Sequence, residues 1–331
     1  MIGPTEDRSG VQTHTQSSKL FGGEGMKNKI LLVLVTLLLM TTTLFGMGSN
    51  ENLSSLNKPI SVVDSRGVEI QLEAYPTKIV SLSPNITETL FALGLADKVV
   101  GRTDYCDWPL EALEIESMGD LFSPSIEKIV ASGADLVISG NFGQALILEA
   151  VEQGGVNIAL FDEDQSMEGT YTLIEKVGQI TGSSEKATSL LNEMKQTVDK
   201  VVASIDEKNR PTVYYVAGFG EWGDFSATGD TYINDILNIA GGINIASDAL
   251  NWTFQQELLI QSDPDIIILP PNVGATFEQT KNEFTSHPVY SNLSAVKNNK
   301  VVSIEENILE RQGPRSAKAV EQLASLFKSL M

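Results

Sequence analysis

Cysteine occurs once in the 331 residues, at Cys106. A single thiol excludes an internal disulfide and a thiolate metal cluster. Histidine is almost as scarce, with only His14 and His287. A zinc site draws on several His or Cys ligands, so no protein-only metal site is expected. Neither histidine suits a catalytic triad: one precedes an apolar leader, the other stands before a proline in a late loop. G-x-S-x-G, the P-loop and H-E-x-x-H are all missing. Basic residues are short as well, 23 Lys and Arg against 43 Asp and Glu, a formal net charge of -20. Phosphate backbones need Lys and Arg, so no nucleic-acid partner is expected. Carboxylate pairs remain as possible acid–base groups, but chance supplies such pairs freely in so acidic a chain. Enzyme function is therefore not expected.

Long apolar runs are limited to one. Ile30–Met40 is apolar apart from Thr36, too short for the roughly 20 residues of a spanning helix. Lys27 and Lys29 precede it, and Gly46 and Gly48 follow at −3 and −1 cleavage spacing. Residues 1–48 thus read as an upstream extension plus a secretory signal peptide, with Met26 the more natural start. The "LFGM" at 44–47 has the form of a bacterial lipobox, but Met47 replaces the cysteine that would carry lipid. The expectation is an exported protein, soluble or tethered by an uncleaved signal.

The remainder has the 42% hydrophobic content of a globular chain and length enough for two domains. "KPISVVDSRGVEIQL" (58–72) reads as a hairpin about an Asp-Ser-Arg-Gly turn. From "KIVSLS" (78–83) onward, short apolar strands alternate with amphipathic helices, which implies a mainly parallel sheet. The segment 183–208 has no Pro or Gly and carries apolar residues at helical spacing, so one helix of roughly 35 Å is expected. Arg210-Pro211 ends it, and strand–helix alternation then restarts with "TVYYVAG" (212–218). One unit appears twice: "SIEKIVASGADLVIS" (125–139) and "ELLIQSDPDIIIL" (257–269) each place a Glu eight residues before an Asp that opens an apolar strand. The predicted fold is α/β, two lobes with central mainly parallel sheets joined by one long interdomain α-helix. The predicted divisions are an N-terminal lobe at 49–166, a connecting helical segment at 167–209 and a C-terminal lobe at 210–331.

A cleft between lobes is a preferred ligand site. "RTDYCDWPLEA" (102–112) follows a strand and would line such a crevice with Tyr105, while Trp108-Pro109 reads as the cap of a small local core. "GFGEWG" (218–223) matches G-x-G-x-x-G, but the loop-like "DFSATGD" follows where a helix should start, and Glu221 and Asp224 would face phosphate. It reads instead as a cleft-edge or self-packed loop bearing Phe219, Trp222 and Phe225. In "RQGPR" (311–315), Arg315 near a helix start opposes the dipole and reads as a structural salt bridge, whereas Arg311 is a ligand candidate. The candidate ligand-binding set is Tyr105, Phe142, Trp222, Trp252 and Arg311.

Taken in order, "KIVSLSPNITETLFALGLADKVVGRTDYCDWPLEA", "SPSIEKIVASGADLVIS", "ELLIQSDPDIIIL" and "RQGPR" resemble the helical-backbone class of substrate-binding proteins of ABC importers. The resemblance covers roughly residues 58–330. That class takes up vitamin B12, ferric siderophores and haem, and presents one surface Glu per lobe to arginines of a paired permease. The resemblance implies that Glu127 and Glu257 are those docking residues. It also implies that Tyr105, Trp252 and Arg311 correspond to ligand-site residues of the B12-binding branch. Two departures leave siderophore and haem open: a first-lobe Trp is replaced near Leu121–Phe122, and a late Asp stands here as Asn307. For haem, Tyr105 would be the axial ligand. The implied ligand is a metal chelate such as cobalamin or a ferric siderophore, with no cofactor of the protein's own. The implied partner is a permease dimer, and the protein itself is expected to be a monomer. Alternatives from other classes are a secreted enzyme using cleft carboxylates, and a receptor for a bare metal ion.

Overall fold

The computed structural model describes residues 60–140, 143–220, 223–272 and 274–331. The leader, lipobox and start-site expectations lie outside the described residues, as do Phe142 and Trp222. Pro59–Met331 forms one compact unit.

The hairpin is present as β1 (Ile60–Val63) and β2 (Glu69–Leu72), paired antiparallel. Its turn is built by Asp64, whose carboxylate accepts from the backbone N–H of Arg66 and Val68 and from Arg66 Nε. Then come β3 (Ile79–Ser81), α1 (Pro84–Ala92), β4 (Val99–Arg102), α2 (Ile126–Ala131), β5 (Leu136–Ser139), α3 (Ala145–Gln153) and β6 (Asn157–Leu160). The four strands from β3 to β6 make a parallel sheet in the order β4-β3-β5-β6.

Two packed helices follow, α4 (Met167–Thr181) and α5 (Ser184–Ala203). Gly182 ends α4 at φ 74°, a left-handed cap that suits glycine. The 20-residue α5 spans about 30 Å at 1.5 Å per residue. It is shorter than the expected 183–208 because Asp206 captures the chain first. Its carboxylate accepts from Lys208 N–H and Asn209 Nδ2, a side-chain-closed turn that stops a helix without Gly or Pro.

The second half contains β7 (Thr212–Gly218), β8 (Phe225–Ser226), α6 (Tyr232–Ile239), β9 (Ile243–Asn244), α7 (Gln256–Ser262) and β10 (Ile266–Ile268). It ends with α8 (Phe277–Ser286), α9 (Ser294–Lys297), β11 (Val301–Val302), α10 (Glu306–Glu310) and α11 (Ser316–Leu330). Here β7 is flanked in parallel by β9 and β10, β11 extends β10, and β8 adds antiparallel to β7. Counted within its own lobe, each parallel sheet therefore runs second, first, third, fourth.

The twin Glu–Asp units occupy the same place in both sheets, leading into the third strands β5 and β10. Their aspartates do the same job. Asp135 accepts from the backbone N–H and Oγ1 of Thr77 and from Lys78 N–H, at the head of β3. Asp265 accepts from Thr212 N–H and Oγ1 at the head of β7. Each Thr follows a proline, Pro76 and Pro211, so the repeat extends to a Pro-Thr pair that the sequence reading did not exploit.

Alternation along the strands separates two packing faces. Ile79, Leu136, Ile138, Val213, Tyr215, Ile266 and Ile268 share one core with α4, α5 and α11 that runs continuously through both halves. Val80 and Val137 face a second cluster, and Tyr214, Val216, Ile267 and Leu269 a third. Each fully buried Ile or Leu is worth about 1.5–3 kcal/mol, so the shared core binds the two sheets into one body.

Candidate ligand cleft

The loop after β4 is shaped from inside. Arg102 Nε and Nη1 donate to the carbonyls of Ala112 and Thr103, buttressing both ends. Cys106 is fully buried, with Sγ 3.2 Å from Thr103 Oγ1, and burial pushes its thiol pKa up. Tucking Cys106 inward turns its neighbours out: Tyr105 is 47% exposed and Trp108 42%. Tyr105 meets Phe122 edge to face at 6.3 Å. Phe122 thus sets a second aromatic ring beside Tyr105.

Arg311 crosses from the other half to this loop. Its Nη2 donates to the Tyr105 carbonyl at 3.3 Å, and its Nη1 to Asp107 Oδ1 at 2.6 Å and Glu88 Oε1 at 3.1 Å. Arg315 grips the same Glu88 through Nε and Nη2, both at 2.8 Å, while its Nη1 reaches Glu305 at 2.9 Å. Its guanidinium also lies 4.7 Å from the centre of the Trp108 ring. Burial opposes the charge of Arg315, but its hydrogen bonds to Glu88 and Glu305 and their attraction outweigh it, leaving the pKa raised. Trp108 is therefore a stacking partner of Arg315. The intervening Gln312 donates to the carbonyls of Asp164 and Ser166, and Asn85 donates to the Gln312 carbonyl. The "RQGPR" segment is a staple across the seam. Beside it a groove of about 460 Å³ is lined by Glu88, Phe91, Trp108, Glu111, Pro314 and Arg315.

Trp252 stands in the second half and is 42% exposed. Asn251 and Trp252 both adopt left-handed φ, 58° and 62°, uncommon for any side chain and costly for a bulky one. The conformation is fixed from below: Trp252 N–H donates to Thr228 Oγ1, its carbonyl accepts from Ser226 N–H, and Asn251 N–H donates to Asp230. Hydrogen bonds from Thr228 and then from Asn251 hold the Asp230 carboxyl below its ordinary pKa. A small recess of about 130 Å³ lies at the carboxyl ends of β7 and β10, where Tyr215 donates to Glu310 at 2.5 Å.

Contacts thus join Tyr105 and Arg311, and Trp252 is set separately on its own loop. Glu88 was missed by sequence reasoning. Its signal was the one charged residue in "ITETLFAL", which a buried helix tolerates only with a cation opposite. After β7 comes a loop to antiparallel β8 rather than a helix, as the rejected dinucleotide motif required. Phe219 packs internally, edge-on to Phe284 at 5.1 Å and Tyr290 at 5.9 Å.

Glu127 and Glu257 are both exposed in the first turns of α2 and α7, each two residues before a fully buried Ile129 or Leu259. Among the described residues no group of three or more His, Cys, Asp or Glu is placed to hold a metal ion, and no helix is long and apolar enough to cross a membrane.

Residues 79–308 match the sequence pattern of the periplasmic binding protein family. An ABC transporter substrate-binding lipoprotein of Bacillus subtilis, itself uncharacterised, is 29% identical over 274 residues, 80% of this chain and 84% of that protein. A cobalamin-binding protein of Halobacterium salinarum is 24% identical over 278 residues, 81% of this chain and 74% of the relative. Among solved structures, a periplasmic haem-binding protein from Roseiflexus sp. RS-1 in its apo form superposes with a TM-score of 0.69. It is 24% identical and covers 76% of this chain and 98% of its own.

Proposed function

Because this chain belongs to the periplasmic binding protein family, we propose that it is the substrate-binding subunit of an ABC importer that carries a corrinoid. The ligand would sit between the loops at the carboxyl ends of the two parallel sheets, against Tyr105 and Phe122 on one side and Trp252 on the other. The observation that carries this reading is the pair of outward-turned aromatic groups, one in each lobe, each braced from beneath by polar contacts. Broad rings give a flat macrocycle large contact area at little entropic cost. The metal travels inside its chelate, so the protein needs no ligand set of its own. Cobalamin is favoured over haem and ferric siderophores by the Halobacterium relative's name. A bare metal ion is disfavoured by the scarcity of histidine.

Glu127 and Glu257 would then contact the two permease subunits. Paired subunits need paired contacts, and carboxylates accept arginine in two parallel bonds. The protein would work outside the cytoplasm as a monomer, soluble or held by an uncleaved leader. Closure on the ligand would be small, because the shared core and the Arg311–Arg315 staple tie the lobes together. Titrating purified 49–331 with cyanocobalamin, ferric siderophores and haem, following tryptophan fluorescence, tests the reading. Saturable quenching by cyanocobalamin below the micromolar range is expected, since Trp108 and Trp252 are exposed. Silence with every chelate would refute it.

A further inference from the structure

Arg311 and Arg315 are cations of the kind that receive anionic chelates, but their charge is already taken. The two guanidinium groups face three carboxylates: Glu88, Asp107 and Glu305. Glu88 is sealed in the cluster, its side chain 2% exposed, and Arg311 is only 13% exposed. Asp107 and Glu305 are the exposed carboxylates, at 46% and 55%, and of the two it is Asp107 that lies in the loop whose Tyr105 is turned outward. The part of the cluster that a ligand meets is therefore a carboxylate, not a guanidinium.

We infer that Asp107 is a charge filter for the cleft, favouring chelates whose rim carries neutral amides and rejecting those whose rim carries carboxylates. This rests on the corrinoid reading above and deepens it. An exposed carboxylate accepts hydrogen bonds from a primary amide N–H, and such charge-assisted bonds are the stronger kind. A ligand carboxylate meets like charge at the same spot. To reach Arg311 it must displace Asp107, which then loses its partner 2.6 Å away. Building in a mismatch against the wrong ligand is an ordinary source of selectivity. The chain's formal charge of -20 acts in the same direction at longer range.

The test uses two probes of one size and shape: cyanocobalamin, and its monocarboxylic acids in which one peripheral amide is hydrolysed, each isomer assayed separately at pH 7.5. The wild-type protein should bind at least one monocarboxylic acid tenfold or more weakly than cyanocobalamin. Asp107→Asn should shrink that ratio at least fivefold, while Asp107→Glu, which keeps the charge, should largely retain it. Added NaCl should also narrow the ratio more in the wild type than in Asp107→Asn, because salt screens exposed charges and the variant keeps only the long-range part. A thermal melt of each variant, with and without cyanocobalamin, shows that the loop still folds and binds. Wild-type protein that binds amide and acid alike, or an Asp107→Asn ratio equal to the wild type's, would overturn the inference while leaving the corrinoid reading intact. Failure of wild-type protein to bind either probe would overturn both.

Discussion

Asp135 and Glu88 are both acids that organise backbone or charge at a distance, and they predict opposite kinds of sensitivity. Asp135 is exposed, and its carboxyl pKa is held below the ordinary 3.8 chiefly by the Thr77 hydroxyl, then by the N–H groups of Thr77 and Lys78. A depressed folded-state value means stability that is present above about pH 4 and lost as the pH falls through the lower value. Asp135→Asn should therefore be less stable than wild type in urea at pH 7, and the gap should narrow as the pH falls below 3.8. A gap independent of pH would show that the bonds, not the charge, matter. Glu88 is buried between two guanidinium groups. Its removal leaves cations without their shared partner, and Glu88→Ala should cost about 3–5 kcal/mol at neutral pH. A loss under 1 kcal/mol would mean that Asp107 and Glu305 suffice for both arginines. None of this cluster was legible as a cluster. Arg311 and Arg315 lie 223 and 227 residues from Glu88, and no periodicity links groups so far apart. Arg311 was readable as unusual, but not whom it faced.

Among elements, α4 carries a conflict between propensity and packing. Ala is favoured over Gly inside a helix by about 1 kcal/mol. A Cβ on Gly169, however, would lie 1.9 Å from the Asp164 carbonyl oxygen, a backbone atom that cannot swing away. Packing should win, so Gly169→Ala should lower the melting temperature, by overpacking worth about 1–3 kcal/mol. A rise would show that the 164–166 turn yields easily. Elements were the most legible level of this chain. Strand-like runs such as "DLVIS" and "DIIIL" and the helical spacing of 183–208 follow directly from which faces must be buried. Ends were less so: α5 stops at Ala203 because Asp206 forms a turn of its own, a local bond that hydrophobic pattern does not register. The left-handed Asn251-Trp252 pair was equally hidden, since it is imposed by Thr228, Ser226 and Asp230 rather than by glycine.

For the whole molecule, the doubled topology is what gives Glu127 and Glu257 equivalent positions, each at the helix before the third strand of its sheet. Exchanging both for Ala should leave chelate affinity unchanged within about twofold and abolish uptake by permease in vesicles, because neither residue is among those proposed to contact the ligand. Full transport by the double variant would remove the docking role. The central claim is that one bulky ligand is held by loops from both sheets at once. Hydrogen–deuterium exchange with and without saturating cyanocobalamin measures this directly. Protection should rise together in 103–122 and in 250–254, with the base of the second sheet near Arg210 unaffected; protection confined to one lobe, or appearing only near Arg210, would contradict it.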